Sequence, residues 1–98
     1  MTAWPEVTLL LCTFERQDEL QRTIDALREH LTYPADRLHW IICDDSSPSN
    51  FAGRLARKAA YRDLAIQVVK TEQNSGWGVN VNNGLAHVGT DLTFFIED

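Results

Sequence analysis

The sequence LHWIICDDSS, residues 38–47, decides the fold of this protein, because it joins an apolar run to a cluster of aspartates and serines. An apolar run without helical spacing is typical of a strand that is covered on both faces of a parallel sheet. Ligands of such sheets bind where the loops leave the carboxyl ends of the strands. Asp44 and Asp45 stand at that end, so this stretch predicts a buried strand and one side of a binding site.

Three further strands and three helices are predicted around this run. The clearest helix spans residues 18–31, where leucine or isoleucine recurs at spacings of four, three and four residues and forms one apolar stripe. Another helix is expected to begin at Asn50, since asparagine favours the N-cap position. The predicted strands are 7–12, 38–43, 65–69 and 92–96, and the predicted helices are 18–31, 50–60 and 79–88.

The order of these elements is βαβαβαβ, which predicts an α/β fold with a mostly parallel sheet flanked by helices. The first two strands begin about thirty residues apart, the length of a βαβ unit with its crossover helix. A chain of 98 residues has room for one small domain, so residues 1–98 are assigned to a single unit.

The composition argues against several classes of partner and location. Nine basic residues stand against fourteen acidic ones, and the net charge of −5 argues against nucleic acid, whose phosphates are bound by clustered Lys and Arg. No apolar run reaches the roughly 18–20 residues of a membrane span, and no signal peptide is recognised. The chain is therefore expected to be cytoplasmic and without a membrane segment. Whether a longer parent protein associates with a membrane stays open.

The two cysteines, Cys12 and Cys43, lie inside the first and second apolar runs. Neither belongs to a CxxC pair, so the sequence supports neither a zinc site nor a thioredoxin-type motif. Both are predicted to be buried, reduced thiols.

Four carboxylates follow two of the predicted strands and should meet on one rim of the sheet. They are Asp44 and Asp45 after the second strand and Glu97 and Asp98 after the fourth. At about 5 Å and an effective dielectric near 20, each pair would repel by roughly 3 kcal/mol. A divalent cation with oxygen ligands offsets such repulsion and lets an acidic cleft hold a phosphate. The pattern therefore predicts a metal-assisted anion site.

Four motifs in chain order resemble those of the family-2 glycosyltransferases. TFER at 13–16 resembles the family's Thr-Tyr-Asn-Arg segment, DDSS at 44–47 its Asp-Asp-Gly-Ser, and FFIED at 94–98 its acidic DxD-type motif. The family's third loop carries two Asn-x-Gly groups and an alanine, matched here by Asn74, Gly76, Asn82, Gly84 and Ala86. The resemblance covers nearly the whole chain. It implies the Rossmann-like GT-A fold, cut off at the DxD-type motif.

The resemblance also implies a ligand, a nucleoside-diphosphate sugar that is expected to be UDP-linked. Thr13 and Glu15 would lie against the nucleotide, and Arg16 would orient that loop or approach the phosphates. Either Asp44 or Asp45 would accept a hydrogen bond from the base, which suits uracil because its ring N–H is a donor.

The remaining motifs imply the other parts of this site. Asn74, Gly76 and Asn82 would shape the nucleotide pocket. Glu97 and Asp98 would begin a site for Mn²⁺ or Mg²⁺, which neutralises the diphosphate leaving group as a Lewis acid. The sugar would pass, with inversion, to a hydroxyl of an acceptor whose class (glycan, lipid or protein) the sequence does not reveal.

The chain departs from the family pattern at three points. Val81 replaces the arginine that often precedes the second asparagine, so one phosphate contact is expected to be missing. The acidic motif starts with Glu97, and the sequence stops at Asp98, before the third acidic position. The acceptor-binding half and the catalytic base of the family lie further along. The 98-residue chain alone is therefore expected to be inactive.

Two other functions remain open at this stage. The chain could be a non-catalytic nucleotide-binding or regulatory α/β module. A receiver-like phosphoacceptor domain also carries paired aspartates, but there they follow the first strand, and its lysine is missing here. Trp77 could stack on a base or sugar, or pack against the sheet. Phe94 and Phe95 are expected to leave an apolar sheet edge exposed and to cause self-association.

Overall fold

The computed structural model describes residues 4–74 and 76–97 and contains one four-stranded sheet with helices on both faces. The main elements in chain order are β1 (Val7–Thr13), α1 (Gln17–His30), β2 (Leu38–Asp44), α2 (Phe51–Ala56), β3 (Gln67–Lys70), α3 (Trp77–Leu85) and β4 (Leu92–Glu97). Short 3₁₀ helices cover Ala35–Arg37 and Ala59–Leu64. The predicted α/β order is confirmed.

The sheet has the strand order β3-β2-β1-β4, and every neighbouring pair of strands is parallel. Because β1 is central, its last residues pair with the ends of two other strands. Thr13 lies opposite Asp44 on β2, and Cys12 lies opposite Glu97 on β4. The carboxyl ends of these three strands, and the polar residues that follow them, therefore share one edge of the fold.

Two apolar clusters pack on opposite faces of the sheet, since successive side chains of a strand alternate between faces. The cluster under α1 and α2 contains Leu9, Leu11, Leu20, Ile24, Trp40, Ile42, Phe51, Ala52, Leu55 and Tyr61. The cluster under α3 contains Leu10, Cys12, Ile41, Cys43, Val69 and Val81. All seven residues of β1 are buried. This two-sided burial explains why β1 and β2 read as continuous apolar runs.

Tertiary contacts shorten the second helix, which was expected over residues 50–60. It ends at Ala56 and gives way to the 3₁₀ turn Ala59–Leu64. Contacts with α1 hold that turn: Arg28 donates hydrogen bonds to the Asp63 carboxylate and to a backbone carbonyl of the turn, and the Tyr61 hydroxyl donates to Asp25.

The strand β4 lies at an edge of the sheet and is largely exposed. Leu92, Phe94 and Phe95 keep 50%, 62% and 40% of their surface accessible. The apolar edge expected from the sequence is therefore present. Within the described ranges, no helix combines the length and the apolar character needed to cross a membrane.

Candidate functional site

A cleft of about 340 Å³ opens at the carboxyl ends of β1, β2 and β4, beside the start of α3. This volume is at the lower end of the roughly 300–1,000 Å³ of small-molecule sites. Its lining residues are Cys12, Thr13, Phe14, Arg16, Asp45, Asn74, Trp77, Asn80 and Glu97. Half of the ten residues predicted from the sequence are among them, drawn from all four polar loops.

Asp45 is the carboxylate that the protein fixes most firmly at this cleft. It is 6% exposed, and its Oδ1 accepts a hydrogen bond from the Thr71 hydroxyl at 3.0 Å. Its Oδ2 accepts one from the backbone N–H of Gly76, also at 3.0 Å. Gly76 has φ of +89°, a left-handed conformation that favours glycine. A carboxylate oxygen has two lone pairs and can accept more than one hydrogen bond.

Asp44 has a different role, although it is adjacent and chemically identical. It is 1% exposed, does not line the cleft, and accepts hydrogen bonds at Oδ1 from the hydroxyl and the N–H of Ser47, at 2.6 and 3.3 Å. The Ser47 hydroxyl oxygen in turn accepts the N–H of Glu15 at 2.9 Å. Asp44 therefore positions the loop after β1, a distinction that the sequence pattern left open.

The structure gives the other predicted residues unequal places. Thr13, Arg16, Asn74 and Glu97 line the cleft together with Asp45. Gly76 contributes its backbone N–H, which donates to Asp45. Glu15 does not line the cleft, and its backbone has a left-handed conformation with φ of +54°. Asn82 does not reach the cleft. It lines a separate hollow between α3 and the end of β3, with Lys70, Thr71, Glu72, Gln73, Val79, Asn83 and Ala86.

Asn80 is a polar cleft residue that sequence reasoning did not select. Its side chain is 3% exposed, and its Nδ2 donates to the Cys43 carbonyl at 3.0 Å. Its Oδ1 and the Oγ1 of Thr13 are buried without a hydrogen-bond partner among the described residues. A buried polar atom left unpaired costs about 1–3 kcal/mol. The sequence did contain a sign that Asn80 is buried. It lies four residues before Gly84, a spacing that places both residues on the buried face of α3.

An aromatic pair forms part of the cleft wall. The rings of Trp77 and Phe95 meet edge to face, with centroids 5.2 Å apart. Trp77 is 56% exposed, contacts Phe95 of the edge strand β4 and lines the cleft, so it packs against the sheet edge and still leaves aromatic surface accessible. Phe14, from the loop after β1, lines the same cleft and is 41% exposed.

Two buried thiols lie at the cleft, and one of them, Cys12, lines it. Cys12 and Cys43 lie opposite each other on neighbouring strands without a disulfide between them, which confirms their prediction as buried, reduced thiols. The hydrogen bond with Cys12, together with burial, raises the pKa of the Cys43 thiol. Cys43 therefore stays protonated and acts as a packing residue.

The residues present fit a metal ion that is shared with a diphosphate better than an all-protein metal site. Of the two carboxylates predicted to hold the metal, Glu97 lines the cleft and Asp98 lies outside the described residues. Among residues 4–74 and 76–97, no three His, Cys, Asp or Glu side chains are grouped to hold a metal. Mg²⁺ is commonly held by one or two carboxylates plus substrate phosphates, which matches this donor set.

The family model described as Glycosyl transferase family 2 matches residues 8–98 of this chain, nearly its whole length. The chain belongs to glycosyl transferase family 2. This confirms the resemblance carried by the four motifs and argues against the receiver-like interpretation.

Two solved structures share the fold of this family-2 chain. The mannosyltransferase PcManGT from Pyrobaculum calidifontis, in complex with GDP-Man and Mn²⁺, superposes with a TM-score of 0.86 and 24% identity over 98% of this chain. TarS from S. aureus superposes with a TM-score of 0.79 and 17% identity over 94% of it. The chain spans 28% and 16% of their lengths. No curated protein matches it significantly. These likenesses confirm the Rossmann-like GT-A fold.

Proposed function

We propose that this chain is the donor-binding portion of a glycosyltransferase that moves a sugar from a UDP-linked donor to an acceptor hydroxyl with inversion. The observation that carries the proposal is the meeting of Asp45 and Glu97, distant along the chain, on one cleft of about 340 Å³. Membership of family 2 supports the reaction class. The GDP-Man and Mn²⁺ held by the similar mannosyltransferase support the ligand class.

At one end of the cleft, Asp45 would accept the ring N–H of the base. Thr71 and Gly76 already hold its carboxylate in place, so little ordering is needed on binding. A hydrogen bond to an ionised carboxylate is stronger than one between neutral groups. Thr13 and Asn74 would complete the pocket around the nucleotide, and Asp44 is assigned to support of the loop.

At the other end, Glu97 and Asp98 would hold Mn²⁺ or Mg²⁺ together with the diphosphate oxygens. When bound, the ion would neutralise the negative charge that develops on the leaving diphosphate. Arg16 lines the same cleft and offers a second positive charge to the phosphates. No residue described in the cleft is assigned as the base that inverting transfer needs. We therefore expect the 98-residue chain to bind donor without transferring its sugar.

Calorimetry with UDP, with and without Mn²⁺, tests this function. UDP should bind to the folded chain, and Mn²⁺ should strengthen that binding. GDP is the second probe, since guanine also presents N–H donors to a carboxylate. Failure of both nucleotides to bind at millimolar concentration, in a sample folded by circular dichroism, would overturn the proposal. Tight UDP binding without any metal dependence would instead favour the non-catalytic or regulatory module.

Two variants separate the ends of the site. Glu97→Gln should reduce the gain from Mn²⁺ while preserving metal-free binding of UDP. Asp36→Asn, an exposed carboxylate outside the cleft, is the matched control and should behave as the unmodified chain.

A further inference from the structure

Trp77 presents an exposed aromatic surface to the cleft. More than half of its surface is exposed, and its ring contact is with Phe95, at 5.2 Å between centroids and 63° between planes. An edge-to-face contact covers at most one face of the indole. Phe95 thus leaves the other face uncovered, and part of the exposed indole surface lies in the cleft lining.

Trp77 directly follows a residue that binds the Asp45 carboxylate. It is the first residue of α3 and directly follows Gly76, whose N–H donates to Asp45 at 3.0 Å. The helix behind it is anchored, because Val81 and Gly84 pack against the sheet at Cys43. The indole contacts Phe95 of β4, and it lines the same cleft as Asp45. One backbone segment, Gly76–Trp77, therefore contributes both an N–H to the carboxylate and an aromatic surface to the cleft.

This pairing fits one part of the proposed ligand. A nucleobase combines a planar face that stacks on an aromatic ring with an edge that carries N–H donors. The sugar lacks the planar face, and the diphosphate has neither feature. Arg16 and Glu97 also line the cleft, and their charges suit the diphosphate and its metal ion rather than the base.

We infer that Trp77 is the stacking surface for the nucleobase of the donor, with the base edge directed at Asp45. The inference rests on the proposed function, because it assigns a further residue to the same site. It makes Trp77 a binding and specificity residue that the family motifs did not indicate. It also explains why a large aromatic side chain remains exposed at the cleft.

Trp4 offers a closely matched control elsewhere on the surface. It is 57% exposed and meets Tyr33 edge to face at 5.1 Å, nearly the values found for Trp77, but it does not line the cleft. Trp77→Ala and Trp4→Ala therefore remove equivalent aromatic surface, inside and outside the site. Trp77→Phe restores an aromatic face.

The experiment measures UDP and inorganic pyrophosphate binding in the presence of Mn²⁺. Trp77→Ala should weaken UDP binding by roughly 5- to 150-fold, the usual range for losing one base-stacking contact, and leave pyrophosphate binding unchanged. Trp77→Phe should recover most of the loss, and Trp4→Ala should show none. UDP should also quench the fluorescence of Trp4→Phe but have a much smaller effect on Trp77→Phe.

The outcomes separate this inference from the function on which it rests. If the unmodified chain binds UDP and Trp77→Ala binds it equally well, the stacking role is wrong and the donor site stands. If pyrophosphate affinity falls in parallel with UDP affinity, Trp77 acts elsewhere in the site and the inference fails. If the unmodified chain binds no nucleotide, the proposed function fails as well. Circular dichroism of each variant confirms that exposed substitutions leave the fold intact.

Discussion

The backbone N–H of Gly76 donates a hydrogen bond to Oδ2 of Asp45 at 3.0 Å and joins the end of β2 to the start of α3. The same carboxylate accepts the Thr71 hydroxyl from the loop after β3. One side chain thus connects three elements and also lines the cleft. Substitutions of Asp45 should therefore alter both the free energy of unfolding and the affinity for the ligand.

Asp45→Asn should lower both the free energy of unfolding and the affinity for UDP. One carboxylate oxygen becomes an amide that cannot accept from Gly76 or Thr71, so the free energy of unfolding should fall by about 1–3 kcal/mol. UDP affinity should fall by about tenfold or more, since the charge-assisted bond to the base is lost. Urea unfolding and calorimetry measure the two effects. A folded variant with undiminished UDP affinity would remove Asp45 from the base-binding role.

Gly84→Ala should destabilise the fold, whereas Gly78→Ala in the same helix should not. A Cβ on Gly84 would overlap the Sγ of Cys43 and lie 3.1 Å from Leu10 Cδ1. Overpacking of this kind typically costs about 1–3 kcal/mol. A Cβ on Gly78 has no atom within 4 Å, and alanine favours helix.

Urea unfolding of the two variants measures this contrast. The double variant Cys43→Ala/Gly84→Ala should recover part of the loss, because the smaller side chain removes the overlap. Equal stability of the two single variants would mean that α3 does not pack on the sheet at Gly84.

Tyr61 should make stability depend on alkaline pH. Burial, and then the hydrogen bond to Asp25, raise the pKa of its phenol from 10.0 to about 12. The folded state keeps this proton longer than the unfolded chain. The contribution of the protonated phenol to the free energy of unfolding is therefore complete below pH 10. It is lost as the pH rises from about 10 to about 12.

The comparison with Tyr61→Phe isolates this effect. The difference in free energy of unfolding between the unmodified chain and the variant, measured by urea unfolding, should be constant below pH 10 and should narrow from about pH 10 to about pH 12. A difference that stays constant across this range would show that the phenol is not held in its protonated form by the fold.

Phe94→Lys should reduce self-association. Phe94 is 62% exposed on the edge strand β4, and an exposed apolar edge favours pairing between chains. A lysine there blocks such pairing at little cost to the core. Light scattering should show a smaller average mass for Phe94→Lys than for the unmodified chain. Val79→Lys, at a 53% exposed site on α3, is the control and should leave the mass unchanged.

That last prediction depends on whether the unmodified chain associates at all. A monomer across the accessible concentration range would contradict the expectation drawn from Phe94 and Phe95. The cleft proposal would be unaffected, because the described cleft is built from a single chain.

Local patterns in the sequence were sufficient to predict the α/β alternation. The stripe along α1 and the apolar run of β2 arise from the period of each element, so they can be recognised without knowing what packs against them. The end of α2 at Ala56 was not predictable in this way, because contacts between α1 and the turn Ala59–Leu64 decide it. The helix propensity of residues 50–60 does not depend on those contacts.

The sequence by itself determined which residue types gather at the cleft, since parallel strands bring their carboxyl ends to one edge whatever the details of packing. Only the tertiary structure decided how similar residues divide their roles. Asp44 turns toward Ser47 and Asp45 toward Gly76, while Asn80 lines the cleft and Asn82 a separate hollow. A residue type specifies the bonds that a side chain can make, but the direction of its Cα–Cβ bond in the folded backbone decides which partner it meets.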